Sequence, residues 1–269
     1  MSELRGDGRL DAEFWHPQYL RVERAVQAKT WAILGDLSIS VRKGIFDILA
    51  NEYTESGIPF YRSSDVGDIV PSNQNLAHIS QQKHQEESQT ALKRGDVMLA
   101  KTGQARASVV LSDECNVSQD VIAIRLHPGV INPFYLATYL STKPGQLQML
   151  RWFQGQVQPH LSLPGAKSIQ ISLLPADFQD DIEAAIRQSI NLRTRSQTLY
   201  AEAEALLLAD LGLDRLDLSH QATYTAEFSG ARAAGRLDAE YFQPKYDILR
   251  KQLEATGQAI VLGDWLEKL

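Results

Sequence analysis

The pattern of apolar and polar residues divides the chain into regions of different character. Between residues 30 and 175, short β-prone runs are separated by Gly, Pro, Asn and Asp, which is typical of strands joined by turns. The predicted strands are Ile39–Val41, Ile58–Arg62, Asp68–Val70, Val97–Lys101, Ser108–Leu111, Val121–Leu126 and Ile169–Leu173, with helices at Pro133–Thr142 and Gly145–Phe153. Because strands and helices do not alternate regularly, the pattern indicates an α/β (α+β) domain with a mixed or antiparallel sheet.

A long helix is predicted from Asp177 to Leu211, where 35 residues pass without Gly or Pro. A heptad reading places nine residues along one seam, and seven of them are apolar: Phe178, Ile182, Ala185, Ser189, Leu192, Ser196, Leu199, Ala203 and Leu206. Such a narrow seam is typical of a coiled coil. At about 1.5 Å per residue the helix is roughly 50 Å long, so we expect it to need a partner helix. The alternative is a helix that lies across its own domain.

One stretch occurs twice. Residues 9–19 (RLDAEFWHPQY) return as residues 236–246 (RLDAEYFQPKY), with seven of eleven positions identical. Leu34-Gly35-Asp36 likewise returns as Leu262-Gly263-Asp264. A spacing of this size is too long for a solenoid repeat and indicates a duplicated module. We expect the motif to open each module and to pack against the long helix.

These boundaries predict five segments. They are an N-terminal helical segment (1–29), a mixed-sheet domain (30–175), the long helix (176–212), a loop-like linker (213–235) and the truncated start of a second module (236–269). In the last segment a further helix is predicted from about Pro244 to Ala255.

Composition and charge narrow the function classes. The hydrophobic content of 43% and the absence of a long apolar run are typical of a soluble protein without a membrane partner. The single cysteine, Cys115, and a polar N-terminus favour the cytoplasm. The net charge of −6 arises in residues 176–269, with sixteen acidic and ten basic side chains. A basic face on the mixed-sheet domain must therefore come from spatial arrangement, and its affinity for DNA should be modest.

No catalytic pattern stands out. Asn132-Pro133-Phe134-Tyr135 is similar to a base-gripping motif of adenine methyltransferases, but its second Pro is missing, and helix capping by Asn132 is the favoured interpretation. Asp96 and Lys101 would point to opposite faces of a regular strand, which argues against a nuclease centre. The scattered histidines have no metal-ligand spacing. The sequence therefore predicts no active site, no metal and no cofactor.

Polar loops offer a different chemistry. Lys101–Arg106 leaves a strand through Gly103, and Gln154–His160 is dense in amides. Arg62-Ser63-Ser64-Asp65 and Ser118-Gln119-Asp120 add further polar side chains. Gln pairs with adenine and Arg with guanine in the major groove. The loops therefore suggest DNA readout, although solvated polar loops are the plainer alternative for each one alone.

Taken in order, these features resemble the specificity subunits of type I restriction–modification systems. The resemblance extends from about Arg9 to the end. It is carried by residues 57–66 (GIPFYRSSDV), 92–103 (LKRGDVMLAKTG), 131–136 (INPFYL) and 161–163 (LSL), and by Leu174, Pro175 and Gln179 at the opening of the long helix.

The resemblance implies a target-recognition domain that reads one half of a bipartite DNA site, followed by a spacer helix. Implied partners are double-stranded DNA, methyltransferase subunits, a restriction–translocase subunit, and a second specificity module paired through a coiled coil, in cis or as a homodimer. The chain would itself be non-catalytic. Expected base contacts are Gln104, Arg106, Gln154, Gln156 and Gln158, and expected phosphate contacts are Arg42, Lys43, Arg62, Lys101 and Arg151, with Ser63, Thr102 and Gln119 beside them.

The sequence leaves two other function classes open. One is a scaffold protein of a phage-defence complex that holds partners without base-specific readout. The other is a stand-alone DNA methyltransferase or nuclease.

Overall fold

The structure is a computed structural model and describes residues 9, 11–45, 50–155, 157–257, 259–260 and 262–266. It divides into two compact units, residues 1–188 and 189–269. The strands are β1 (Trp31–Ile33), β2 (Ser38–Lys43), β3 (Tyr53–Thr54), β4 (Ile58–Tyr61), β5 (Ala77–Ile79), β6 (Leu92–Lys93), β7 (Val97–Ala100), β8 (Ala107–Val109), β9 (Glu114–Val117), β10 (Val121–Leu126), β11 (Phe153–Gln154), β12 (His160–Leu161) and β13 (Gln170–Ser172). The helices are α1 (Pro17–Gln27), α2 (Gln81–Glu86), α3 (Pro133–Ser141), α4 (Lys143–Arg151), α5 (Leu163–Lys167), α6 (Ala176–Asp210), α7 (Phe228–Ala234), α8 (Pro244–Ala255) and α9 (Leu262–Leu266).

Two larger sheets organise the first unit. One is antiparallel and has the strand order β2-β10-β7-β8, and the other has the order β3-β5-β4-β9-β6 with β4 and β9 parallel. Two-stranded pairs join β1 to β13 and β11 to β12. This arrangement confirms the predicted mixed-sheet α/β architecture with a long helix.

The central strand β10 of the antiparallel sheet packs apolar side chains on both faces. In β10, Ile122 and Ile124 belong to one apolar cluster, whereas Val121 and Ala123 belong to another. Successive side chains of a strand point to opposite faces, so this central strand reads as a continuous apolar run instead of an alternating one. The first cluster also takes in Phe14 from the N-terminal segment. Residues 11–29 therefore pack as part of the mixed-sheet domain.

Two predicted segments differ from the structure. Asp68–Val70 is not a strand, because Ile69 has a φ of 71° and makes a single bridge to Ser108. The predicted linker is not wholly a loop, since it contains the short helix α7, which ends at Gly235 in a left-handed conformation. Glycine at that position is a common way for a helix to stop.

The repeated motif folds alike in both units. Asp11 Oδ1 accepts the Phe14 amide at 3.0 Å, and Asp238 Oδ1 accepts the Tyr241 amide at 3.1 Å. In each copy the arginine that opens the motif forms an ion pair with this aspartate and lies over the aromatic ring. The local sequence therefore specifies this turn without help from the surrounding domain.

The surroundings of the two copies differ. Phe14 is fully buried, with its ring 4.9 Å from that of Trp152, whereas Tyr241 is 45% exposed beside an open cleft of about 1170 Å³. The first copy thus packs against the end of α4, and its packing against the long helix stays a prediction. In the second unit, Gln252 Nε2 from α8 donates to the carbonyl of Leu211, just after α6.

The seam on α6 is mostly uncovered. Ile182 packs against the first apolar cluster, but Phe178 is 46%, Leu192 60%, Leu199 51% and Leu206 72% exposed. The small seam residues Ala185, Ser189, Ser196 and Ala203 are exposed as well. The first turns, where Ile182 packs, fit the alternative of a helix lying across its own domain. Among the described residues, no helix is long and apolar enough to cross a membrane.

Candidate nucleic-acid interface

Three loops of the first unit meet at one open cleft of about 620 Å³. They are the turn after β4, the loop after β7 and the tip of the β11–β12 hairpin. Its lining, hereafter the three-loop cleft, consists of Ser63, Ser64, Thr102, Gly103, Gln104, Arg106, Val157, Gln158 and Pro159. Five of the residues predicted to contact DNA are therefore brought together, although up to 95 positions separate them in the chain (Ser63 to Gln158).

Hydrogen bonds join the loops to one another at this cleft. Ser63 Oγ donates to the carbonyl of Thr102 at 2.9 Å, and Thr102 Oγ1 donates to Ser63 Oγ at 3.3 Å. The amide of Leu161 donates to the carbonyl of Lys101 at 2.8 Å, which joins the hairpin to the end of β7. Partners fixed in this way lose little conformational freedom when a ligand binds.

Gly103 gives the loop after β7 its direction. Its φ of 78° lies in the left-handed region, where a side chain would be strained, and nothing lies within 4 Å of the place a Cβ would take. The backbone conformation, not crowding, therefore calls for glycine here. The turn leaves Gln104 exposed and Arg106 half-buried, and the Arg106 guanidinium makes no hydrogen bond or ion pair with any residue the structure describes.

Arg62 supports the turn after β4. Its Nε donates to Asp65 Oδ2 at 3.0 Å, and its second guanidinium nitrogen donates to the carbonyl of Asn75 at 3.0 Å. The hydrogen bond to the buried carboxylate of Asp65 raises the pKa of Arg62. With 41% of its side chain exposed, Arg62 still presents part of its charge to solvent, so the phosphate contact stays a prediction.

A second cleft, of about 390 Å³, continues the first through Ser63 and Ser64. Gln119 and Asp120 line it together with Tyr53 and Arg62. The amide of Lys101 donates to the carbonyl of Asp120 at 2.9 Å, which links the Ser118–Asp120 turn to the base of the three-loop cleft. Gln119 and Lys101 thus lie beside the residues with which they were grouped from the sequence.

Arg42 and Lys43 are exposed on β2, next to a cleft of about 360 Å³ that also contains Ile45 of the second cleft. The Arg42 guanidinium donates to the carbonyl of Gln89 at 3.3 Å. Both cations line this cleft and are not among the lining residues of the three-loop cleft. Phosphate contact, which needs charge beside the groove and not base-edge geometry, fits that position.

Arg151 does not lie on this face. Its side chain is 8% exposed, its Nε donates to the carbonyl of Phe14 at 3.0 Å, and it forms an ion pair with Glu23 at 3.1 Å. The guanidinium also lies 4.3 Å from the centre of the Phe14 ring. This burial contradicts the predicted phosphate contact. Arg151 instead holds the first copy of the repeated motif in place.

The remaining predicted amides are less well placed. Gln154 is half-buried in β11, where it pairs with His160, and Gln156 lies outside the described residues. Sequence reasoning missed Val157, whose side chain is completely exposed at the hairpin tip, and Tyr53. In the sequence, Val157 is marked only by being an apolar residue among amides, two positions after Gly155.

Asp96, the carboxylate considered for a nuclease centre, and the exposed Asp113 both have structural partners. Asp96 is buried and accepts from Arg125 at 2.8 Å and from the Lys93 amide at 3.0 Å, and Asp113 pairs with Arg94 at 2.9 Å. Burial raises the pKa of the Cys115 thiol to about 12, which disfavours the thiolate that a nucleophile needs. Among the described residues, no group of three His, Cys, Asp or Glu could hold a metal ion.

Comparisons with known proteins find similarity in structure and not in sequence family. No protein-family model matches the sequence, and no curated protein matches it. Solved structures are similar to this chain, among them S subunits of type I restriction–modification systems.

One is a chain of a type I R-M system described for its complex assembly and conformational transition, with 20% identity, a TM-score of 0.45, and coverage of 76% of this chain and 52% of that one. The HsdS subunit from Thermoanaerobacter tengcongensis has 19% identity and a TM-score of 0.43, with 67% and 46% covered. The type IIG restriction endonuclease BpuSI has 11% identity and a TM-score of 0.48, with 65% and 28% covered. This chain spans about half the length of the first two. Because these TM-scores are below 0.5, we draw function from the residues of this chain.

Proposed function

We propose that this protein is a non-catalytic, sequence-specific DNA-recognition subunit of a type I restriction–modification complex. In this role the first unit reads one half of a bipartite site. The second half is read by another copy of the domain, brought into place by pairing of α6. Methyltransferase and restriction–translocase subunits would carry out the chemistry, as the sequence resemblance implies.

The three-loop cleft is the observation that carries this proposal. Gln104, Arg106 and Gln158 belong to the side-chain types that read base edges, and they line one open concave surface. Hydrogen bonds join the loops that carry them, so the loop backbones are held in place before DNA binds. The exposed cations Arg42 and Lys43 lie next to the adjoining clefts, where phosphate contacts would fix the register on the duplex.

The uncovered seam supports the bipartite part of the proposal. Leu192, Leu199 and Leu206 together leave a line of apolar surface exposed along α6. A solvent-exposed helix with such a line gains free energy when a second helix covers it. Pairing two copies would also double the number of base contacts, which offsets the modest affinity expected of an acidic chain.

The test is selection from a library of random-sequence DNA duplexes by the purified chain, with and without methyltransferase subunits. We expect enrichment of two short blocks separated by a constant spacer. Equal binding of all duplexes at physiological salt would instead support the scaffold alternative. Incubation of the chain alone with DNA, a labelled methyl donor and magnesium should yield neither methylated nor cleaved DNA, and either product would refute the non-catalytic role.

A further inference from the structure

The motif Asn132-Pro133-Phe134-Tyr135 contacts the start of the long helix. Asn132 Oδ1 caps α3 by accepting the amides of Phe134 at 2.9 Å and Tyr135 at 3.4 Å. Its Nδ2 donates in the other direction, to Glu183 at 2.5 Å and to Asp180 at 3.4 Å, both on α6. One side chain thus joins α3 to the first turns of the long helix.

Gln179 completes the link from the α6 side. It is 8% exposed, its Oε1 accepts the backbone amide of Asn132 at 2.9 Å, and its Nε2 donates to the carbonyl of Leu174 at 2.8 Å. Both ends of the carboxamide are therefore used. A methyl group could make neither bond, and a carboxylate could only accept, so the position calls for an amide.

A third contact lies one turn further along. Arg187 donates to Glu183 at 2.6 Å, and its guanidinium lies 4.7 Å from the centre of the Phe134 ring. Although partial burial works against the charged form, hydrogen bonds from Asn132 and Arg187 keep the pKa of Glu183 below its usual value. Residues 179, 183 and 187 follow at intervals of four, so they share one helix face.

The spacing of these contacts matters mechanically. A contact at one residue would let the helix axis rotate about that point. Contacts spread over eight residues, about 12 Å, determine the direction of the axis as well. A helix of 35 residues is a lever of roughly 50 Å. A tilt of about 10° at its root would move its far end by about 9 Å, and successive base pairs are about 3.4 Å apart along DNA.

We propose that Gln179 and Asn132 form a clamp that sets the spacing between the two half-sites, by fixing the direction in which the spacer helix leaves the recognition domain. Gln179 is on this view a positioning residue: it touches no DNA, yet it decides which spacer length is accepted. The inference rests on the proposed function, because spacing has a meaning only for a bipartite site.

The experiment repeats the duplex-library selection with the full chain carrying Gln179→Ala. We expect the same bases in both half-sites but two or more accepted spacer lengths where the wild type accepts one, with at least a tenfold loss of binding at the wild-type spacing. The matched control is Gln188→Ala, which removes an exposed glutamine from the same helix. Hydrogen exchange at the Asn132 amide should quicken in Gln179→Ala and stay unchanged in the control.

A second variant tests the clamp independently, in case Gln179→Ala disturbs the fold. Asn132→Asp keeps an N-cap acceptor for α3 but replaces the donor that faces Glu183 with a repelling carboxylate. It should widen the accepted spacing as Gln179→Ala does. A single unchanged spacing in both variants, or equal widening in Gln188→Ala, would overturn the clamp. A wild-type chain that enriches no bipartite site would instead refute the proposed function.

Discussion

Pairing through the long helix can be broken at two positions without touching the DNA-reading face. We expect the double variant Leu192→Glu, Leu199→Glu to prevent self-association while the first unit stays folded. Both leucines lie on the seam, and they are 60% and 51% exposed in the single chain. Glutamate is a good helix former, so the helix itself should persist.

The size of the effect follows from those exposures. Covering the exposed parts of both leucines amounts to burying about one leucine side chain per copy, or about 2–3 kcal/mol. A symmetric pair therefore loses about 4–6 kcal/mol. Because about 1.4 kcal/mol corresponds to a factor of ten in affinity, the dissociation constant should rise by three to four orders of magnitude. Desolvation of the new carboxylates adds to that loss.

Sedimentation velocity over a wide concentration range measures this change directly. The control is Thr194→Glu, Ala201→Glu, which adds the same charge on the opposite helix face and should leave the dissociation constant within a few-fold of wild type. A seam variant that associates as tightly as the wild type would refute the pairing argument. So would a wild-type chain that stays monomeric at every concentration.

Three further outcomes are expected. Arg106→Ala should alter the selected DNA sequence at one position, with a loss of about 1–3 kcal/mol of discrimination between bases. The control Arg94→Ala removes an exposed arginine paired with Asp113 and should leave the motif unchanged, so the same motif from both variants would count against Arg106 as a base reader. Asp96→Ala should lower the free energy of unfolding in urea by about 3 kcal/mol, because it removes the buried partner of Arg125 and of the Lys93 amide, and a change below ~1 kcal/mol would contradict that role. Cys115, buried and with its pKa raised to about 12, should react with a thiol reagent at pH 8 only as fast as the domain opens, so rapid labelling of the folded chain would show that the thiol is accessible.

Much of the architecture could be predicted from local pattern. The predicted bounds of α8 match the structure, and those of α6 and β10 match it to within one residue or completely, because each has a strong period or clear end signals. The sequence pattern predicts none of the two-residue strands, such as β11 and β12. So short a run carries no period, and its pairing depends on partners elsewhere in the chain.

The residues of the candidate site could likewise be predicted only in part from the sequence. Residue type alone marked Gln104, Arg106 and Gln158 as base readers, and the fold places them on one cleft. Residue type also marked Arg151, which the fold buries against Phe14 and Glu23. An arginine in a polar stretch looks the same in sequence whether it faces solvent or fills a gap between distant elements, since its exposure depends on packing.

The sequence by itself determined the long helices, the longer strands, the duplication and the apolar seam, because each is a property of neighbouring residues or of a repeat within the chain. Only the tertiary structure decided which loops meet, which charges are buried, and how Asn132 and Gln179 join two helices. Those outcomes depend on contacts between residues far apart in the chain, such as Ser63 and Thr102, 39 positions apart, and Asn132 and Gln179, 47 positions apart. Their hydrogen bonds form only after the sheets and the core have brought them together.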